Sequence, residues 1–208
     1  MIKNYPQVFV LFFFLLSGTV HAALLDVDWQ TSGDNLLLHD TSTNLQWLDL
    51  SVTLNQSYNE VTAQLGTGGA YDGFRFATRD EVLHLWSEAN ITDTNFTWVE
   101  NGEWSIVKDL ADRLGTSVLF DPAGIGTHAL GMVEGGAPLA SNERWVMELS
   151  YHYDGVRVRT SSDYYILGTD FASEHYSSFL VRPVPLPAAL WLFISGLIGL
   201  YSVKKVGK

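Results

Sequence analysis

"SYNEVTAQLGTGGAYDGFRFATRDEVLHLWSEA", residues 57–89, writes a helix, a turn, a strand and a second helix in order. Ser57 and Glu60 stand at the spacing of a capping box, where a hydroxyl and a carboxylate each satisfy the other residue's backbone N–H. The box predicts a short helix running to Leu65, with Gly66 placed to end it. The glycine-rich run that follows invites comparison with a phosphate-binding loop. It comes after a helix instead of a strand and has no Gly-Lys-Ser/Thr, so its glycines read as turn residues. Residues 74–78 then read as a strand. Thr78 and Glu81 repeat the box and open a helix through Val82, Leu83, Leu85 and Trp86 to about Ala89.

Upstream, "DNLLLHDTSTNLQWLDL" gives two short strands, 36–38 and 45–50, around a turn at 41–44. Downstream, Ile106, Val107, Leu110, Ala111 and Leu114 form one apolar stripe, predicting a third helix over 104–114 with Gly115 as its stop. Strands are expected at 117–120, 128–133 and 144–153, and a last one at 177–184. Asp154-Gly155 marks a two-residue hairpin turn, which pairs Tyr151 with Val158 and His152 with Arg157. Tyr151, Tyr153, Val156 and Val158 should then share a buried face, leaving Arg157 and Arg159 in water. Helices early and a meander late predict an α+β domain with two or three short helices and an antiparallel sheet.

The two ends read as addresses. Residues 1–22 have a short basic start at Lys3, an apolar stretch, and small residues Val20 and Ala22 at the positions a signal peptidase requires. A cleaved signal peptide is expected there. At the other end, 19 residues from Pro185 to Val203 carry no charge, and Lys204, Lys205 and Lys208 follow. At about 1.5 Å per residue this helix would reach roughly 28 Å, the thickness of a bilayer's hydrocarbon core. The lysine tip marks the cytoplasmic side. Val184, Pro185, Leu186 and Pro187, then the apolar span (about 186–203), then the basic tip (204–208), resemble a PEP-CTERM sorting tail of the Val-Pro-Leu-Pro variant. The resemblance implies a Gram-negative exporter whose exosortase recognises the tail and cuts near the proline motif. It also implies a setting of exopolysaccharide production. The expected path is export, a transient stay in the inner membrane, then the cell surface or extracellular matrix, with signal peptidase and exosortase as partners.

Residues 23–183 make one domain of ordinary size. All 23 acidic residues fall in it with 8 of the 12 basic ones, a net charge of −15. Such a surface repels nucleic acid and anionic lipid, and it keeps a protein soluble. The chain has no cysteine, which excludes thiol nucleophiles, iron–sulfur ligation and cysteine-based zinc sites. "DTSTNLQWLDL", "SYNEV", "LGTGGAYDGFRFATRDEVLHL" and "SSFLVRPV" are similar to an exported domain related to the C-terminal part of Legionella collagen-like proteins. That resemblance implies a C-type-lectin-like fold. The sugar-binding motifs of calcium-dependent lectins (Glu-Pro-Asn or Gln-Pro-Asp with Trp-Asn-Asp) are absent, and so is the cysteine that formylglycine-generating relatives of the fold require.

Candidate chemistry is sparse. His39, His84, His128, His152 and His175 show no zinc-ligand spacing, and no Gly-x-Ser-x-Gly elbow occurs. Asp26 and Asp28 alternate on one strand as a solvated pair or a weak calcium site. Arg75, between Phe74 and Phe76, suits a buried ion pair or a ligand contact equally. Trp47 and Trp86 read as core. Trp98 and Trp104 flank "VENGE", read as a loop; they are the candidates for an exposed aromatic platform, the alternative being that they pack the third helix onto the sheet. No catalytic residue, metal site or cofactor is expected, and the domain is read as a binding module, for an exopolysaccharide or surface glycan among other partners. The competing class is a polysaccharide hydrolase, which needs a cleft with two facing carboxylates. Ice binding would need a regular threonine array, and none is present.

Overall fold

Both capping boxes close in the computed structural model, which describes residues 23–184 apart from 93–94, 101, 117–125 and 136–139. Ser57 Oγ accepts the Glu60 N–H at 3.2 Å while the Glu60 carboxylate accepts the Ser57 N–H at 2.7 Å. Thr78 and Glu81 make the same exchange at 3.2 and 2.8 Å. These boxes start α1 (Tyr58–Ala63) and α2 (Arg79–Glu88). α1 ends short of the expected Leu65, because Gln64 caps it and gives its carbonyl to the Tyr71 N–H at 3.0 Å. The apolar stripe forms α3 (Trp104–Leu114), ended by Gly115 at φ 79°. The predicted signal segment, the strand expected at 117–120 and all residues beyond Val184 lie outside the described residues.

The described strands are β1 (Leu24–Val27), β2 (Leu37–Asp40), β3 (Leu45–Leu48), β4 (Arg75–Phe76), β5 (Asn95–Glu100), β6 (Gly126–Val133), β7 (Glu143–His152), β8 (Arg157–Gly168), β9 (Ser177–Ser178) and β10 (Leu180–Pro183). They form two sheets, ordered β1-β2-β3-β10-β4 and β5-β8-β7-β6-β9. The architecture is α+β, and all pairings are antiparallel except β9 with β6.

The last strand, expected to be continuous, is split between the sheets. β9 lies beside β6 and β10 lies between β3 and β4, with Phe179 at the crossing. The Phe179 N–H donates to Met132 O at 3.0 Å, and its carbonyl accepts the Ala77 N–H at 2.8 Å. A Cβ on Gly131 would sit 2.5 Å from Phe179 Cδ2, so only glycine lets that ring lie on β6. A second link joins Thr78 to Glu134 as a parallel bridge, with Glu134 N–H donating to Ala77 O at 2.9 Å.

Two apolar clusters fill the domain. One gathers Val82, Leu85 and Trp86 of α2, the α3 stripe, Trp47, Val181, and Ala129, Met147 and Leu149 of the second sheet. The other sets Tyr58 and Val61 of α1 against Leu37, Leu48, Leu180 and Phe76, and against Leu130, Met132 and Val146. The second sheet is therefore covered on both faces, and every residue of β6 is buried. This overturns the wet face expected for the hairpin. Tyr151 pairs with Val158 as expected, and both are buried, but Tyr153 and Val156 at the turn are 54% and 47% exposed. Arg159 is largely buried instead, at 16% side-chain exposure, for a reason found in the partner it meets.

Candidate functional site

Trp104 opens α3 and is half-buried. Its indole Nε1 donates to His152 O at 2.6 Å, and its ring meets Tyr151 edge-on at 5.9 Å. It pins the helix to the hairpin, as the alternative reading had it.

Trp98 lies on β5, which runs on through Val99 and Glu100 of the stretch read as a loop, and it is also half-buried. Its ring meets His128 at 5.8 Å and His152 at 5.5 Å, both edge-on, with the Arg159 guanidinium 4.9 Å from its centroid. A Cβ on Gly126 would stand 2.9 Å from Trp98 Cη2, so the indole reaches across to β6. Both tryptophans, the candidates for an exposed platform, are half-buried, and Trp98 roofs the pair of histidines.

Under the roof the register places His128 beside Ser150 and Ser150 beside Arg159 across β6, β7 and β8. Glu148, wholly buried, receives Arg159 Nε at 2.9 Å, Arg159 Nη2 at 2.6 Å and Ser150 Oγ at 2.6 Å on the single oxygen Oε1. His128 Nδ1 lies 2.9 Å from that same oxygen and 2.8 Å from Ser150 Oγ. Serine, histidine and glutamate are present, but hydroxyl and carboxylate meet the same ring nitrogen. A relay needs them on opposite nitrogens, so the set is a charge network and not a nucleophile triad. Beside it, Asp154 accepts from the Val156 and Arg157 N–H groups and from Arg157 Nε at 2.5 Å. Desolvation would raise the Asp154 carboxyl, but these bonds outweigh it and hold the group well below the usual range. Arg157 Nη2 in turn lies 2.8 Å from His152 Nε2.

The sequence carried a sign of this network. Residues 148, 150 and 152 are polar at alternate positions, which reads as a wet face until something covers it. The acidic pair near the start is separately engaged: Asp26 accepts Arg113 Nε at 2.8 Å, and Asp28 accepts the Asn35 N–H at 3.1 Å. Among the described residues no three His, Asp or Glu converge as a metal would require.

Sequence reasoning missed a cleft of about 470 Å³ between α1 and the junction of β4 with α2, lined by Tyr58, Thr62, Leu65, Arg75, Phe76, Thr78 and Glu134. Tyr58 is sandwiched there, with Phe76 stacked at 4.1 Å and the Arg144 guanidinium 4.1 Å from its ring. Its hydroxyl donates to Glu134 Oε1, which also faces Arg144 Nε at 3.8 Å. Arg75 is half exposed, not buried, and holds Glu81 with both terminal nitrogens at 2.8 and 2.5 Å. That fork is the main reason the Glu81 carboxyl lies below its ordinary value, with the Thr78 bonds adding to it against desolvation. Glu134 is the one carboxylate in the lining among the described residues.

Of the sorting residues, Val20, Ala22, Pro185, Leu186, Pro187, Lys204, Lys205 and Lys208 lie outside the described residues. Val184 is the last residue described. Its N–H donates to Asn44 O at 3.0 Å, and Asn44 Nδ2 returns a bond to Val184 O at 3.3 Å. Ala23, which follows the predicted signal cleavage, exchanges bonds with Thr41: its N–H donates to Oγ1 at 2.9 Å and its carbonyl accepts the Thr41 N–H at 3.0 Å. No family model, no characterised protein and no solved structure matches the chain.

Proposed function

We propose that this chain is an exported surface or extracellular-matrix protein, delivered through a transient inner-membrane anchor and released by an exosortase. Its globular domain is a C-type-lectin-like binding module, and the cleft beside α1 is its interaction site. The observation that carries the reading is the shared position of the domain's two ends. Ala23 and Val184 are both hydrogen-bonded to the single turn at 41–44, one to Thr41 and the other to Asn44.

A signal peptide and a C-terminal span cross the same membrane, so a domain strung between them must bring both exits to one pole. A domain with its ends far apart would have to lie along the membrane or stretch a linker. Here β10 runs straight to Val184, and the proline motif begins at once. A proline has no N–H to donate to a ladder and favours an extended chain, the form in which a protease binds a peptide. Adjacent ends and a last strand inserted beside the first hairpin also suit the C-type-lectin-like assignment.

Mass spectrometry of the mature protein from cells with and without the exosortase tests this. The expected product begins at Ala23 and has lost the basic tip when the exosortase is present. A chain still ending at Lys208 in exosortase-positive cells would falsify the sorting reading.

A further inference from the structure

We propose that the cleft between α1 and the β4–α2 junction binds a neutral pyranose unit of a glycan; this deepens the binding-module reading and rests on it. The cleft's volume, about 470 Å³, falls in the range of small-ligand sites. Leu65 and Phe76 supply apolar lining. Tyr58 does not serve as a stacking platform, since Phe76 and Arg144 occupy its two faces. It is a fixed wall whose hydroxyl orients Glu134.

The polar atoms left over decide the ligand's chemistry. Glu134 Oε1 is taken by Tyr58, and Oε2 has no hydrogen bond among the described residues. Thr62 Oγ1 donates to Tyr58 O at 2.7 Å and keeps its lone pairs. Arg75 commits both Nη1 hydrogens and one Nη2 hydrogen to Glu81 and Phe76 O, leaving its Nε–H and one Nη2–H. The cleft thus presents acceptors and the two remaining Arg75 donors beside an apolar lining. A ligand with an apolar face and neighbouring hydroxyls, each able to donate and to accept, satisfies all of them. A pyranose has that form.

Charge excludes the alternatives. The positive charge of Arg75 is already matched by Glu81 and that of Arg144 by Glu134 at 3.8 Å, so among the described residues the cleft's charges are paired, and the surrounding domain at −15 repels anions. A uronate or phosphate therefore fits poorly. A lone ammonium group would compete with Arg144 for Glu134 and leave the remaining Arg75 donors facing a cation.

The full chain in detergent micelles, titrated calorimetrically with maltose, cellobiose, mannobiose and lactose and with glucuronic acid, gives the test. At least one neutral disaccharide should bind and glucuronic acid should not. Thr62→Trp fills the cleft from an exposed helix position, and Glu134→Gln removes the charge while keeping the acceptor for Tyr58. Each should weaken binding tenfold or more, with circular dichroism unchanged. No neutral sugar bound by the wild type overturns the proposal. Binding that survives Thr62→Trp but is lost in Trp98→Ala also overturns it, while leaving the binding-module reading intact. The mature C-terminus, measured separately, stands or falls independently of either result.

Discussion

A carboxylate removed from water must find its compensation in protein, and Glu148 finds it on one oxygen. The Arg159 fork and the Ser150 hydroxyl converge on Oε1, while Oε2 is buried without a hydrogen-bond partner among the described residues. With Glu148 at 0% and Arg159 at 16% side-chain exposure, this pair is not a surface ion pair worth a few tenths of a kcal/mol. Removing one partner from such a pair leaves the other charged and buried. Arg159→Met is therefore expected to lower unfolding stability by about 3–5 kcal/mol, read from urea denaturation. The double variant Glu148→Gln, Arg159→Met removes both charges and should recover most of that loss. A single-variant loss below about 1 kcal/mol would mean the pair is solvated after all.

At the scale of elements, two kinds of information behave differently. Helix starts are written within four residues, so Ser57–Glu60 and Thr78–Glu81 could be read directly, and so could the α3 stripe and the pairing of Tyr151 with Val158. The crossing of β9 into β10 was not legible, because it depends on Phe179 meeting Gly131, which stands far away in sequence. The hairpin's polar face was misread for a related reason. Alternation shows which residues share a face, but a neighbouring element decides whether that face meets water. The cleft escaped notice too, since Tyr58 and Glu134 come together only through the sheet link at Thr78. Gly131 offers a test of the crossing. Gly131→Ala places a methyl against the Phe179 ring, and overpacking of this kind costs about 1–3 kcal/mol. In a double-mutant cycle, Phe179→Leu should reduce the penalty of Gly131→Ala. Additive effects would show that the ring does not constrain β6.

The whole molecule sets two electrostatic effects against each other as the pH falls. A domain carrying −15 repels itself, and protonating carboxylates relieves that repulsion. Against this stand the carboxyls that folding holds below their ordinary values. Asp34 is held chiefly by the Thr31 and Trp29 N–H groups, and Glu60 by the Ser57 N–H. Asp40, Glu81 and Asp154 belong with them; burial pushes Asp40 up, but the Thr43 and Ser42 bonds outweigh it. A depressed carboxyl contributes stability that is fully present above its unfolded value, near 4, and is lost as the pH falls through the folded one. Asp49 acts the other way, because burial raises it despite two bonds from Ser51, so acid favours its folded form. At 0.15 M salt the Debye length is about 8 Å, so most of the long-range repulsion is already screened. Hydrogen bonds such as Thr31 N–H to Asp34 at 2.8 Å are not. The local bonds should win. The melting temperature, followed by circular dichroism at fixed ionic strength from pH 7 to pH 2, is expected to hold until about pH 4 and then to fall. Asp34→Asn should lower it at pH 7 and flatten the acid limb. A melting temperature that climbs steadily into acid would mean that self-repulsion, not the network of held carboxylates, governs this fold.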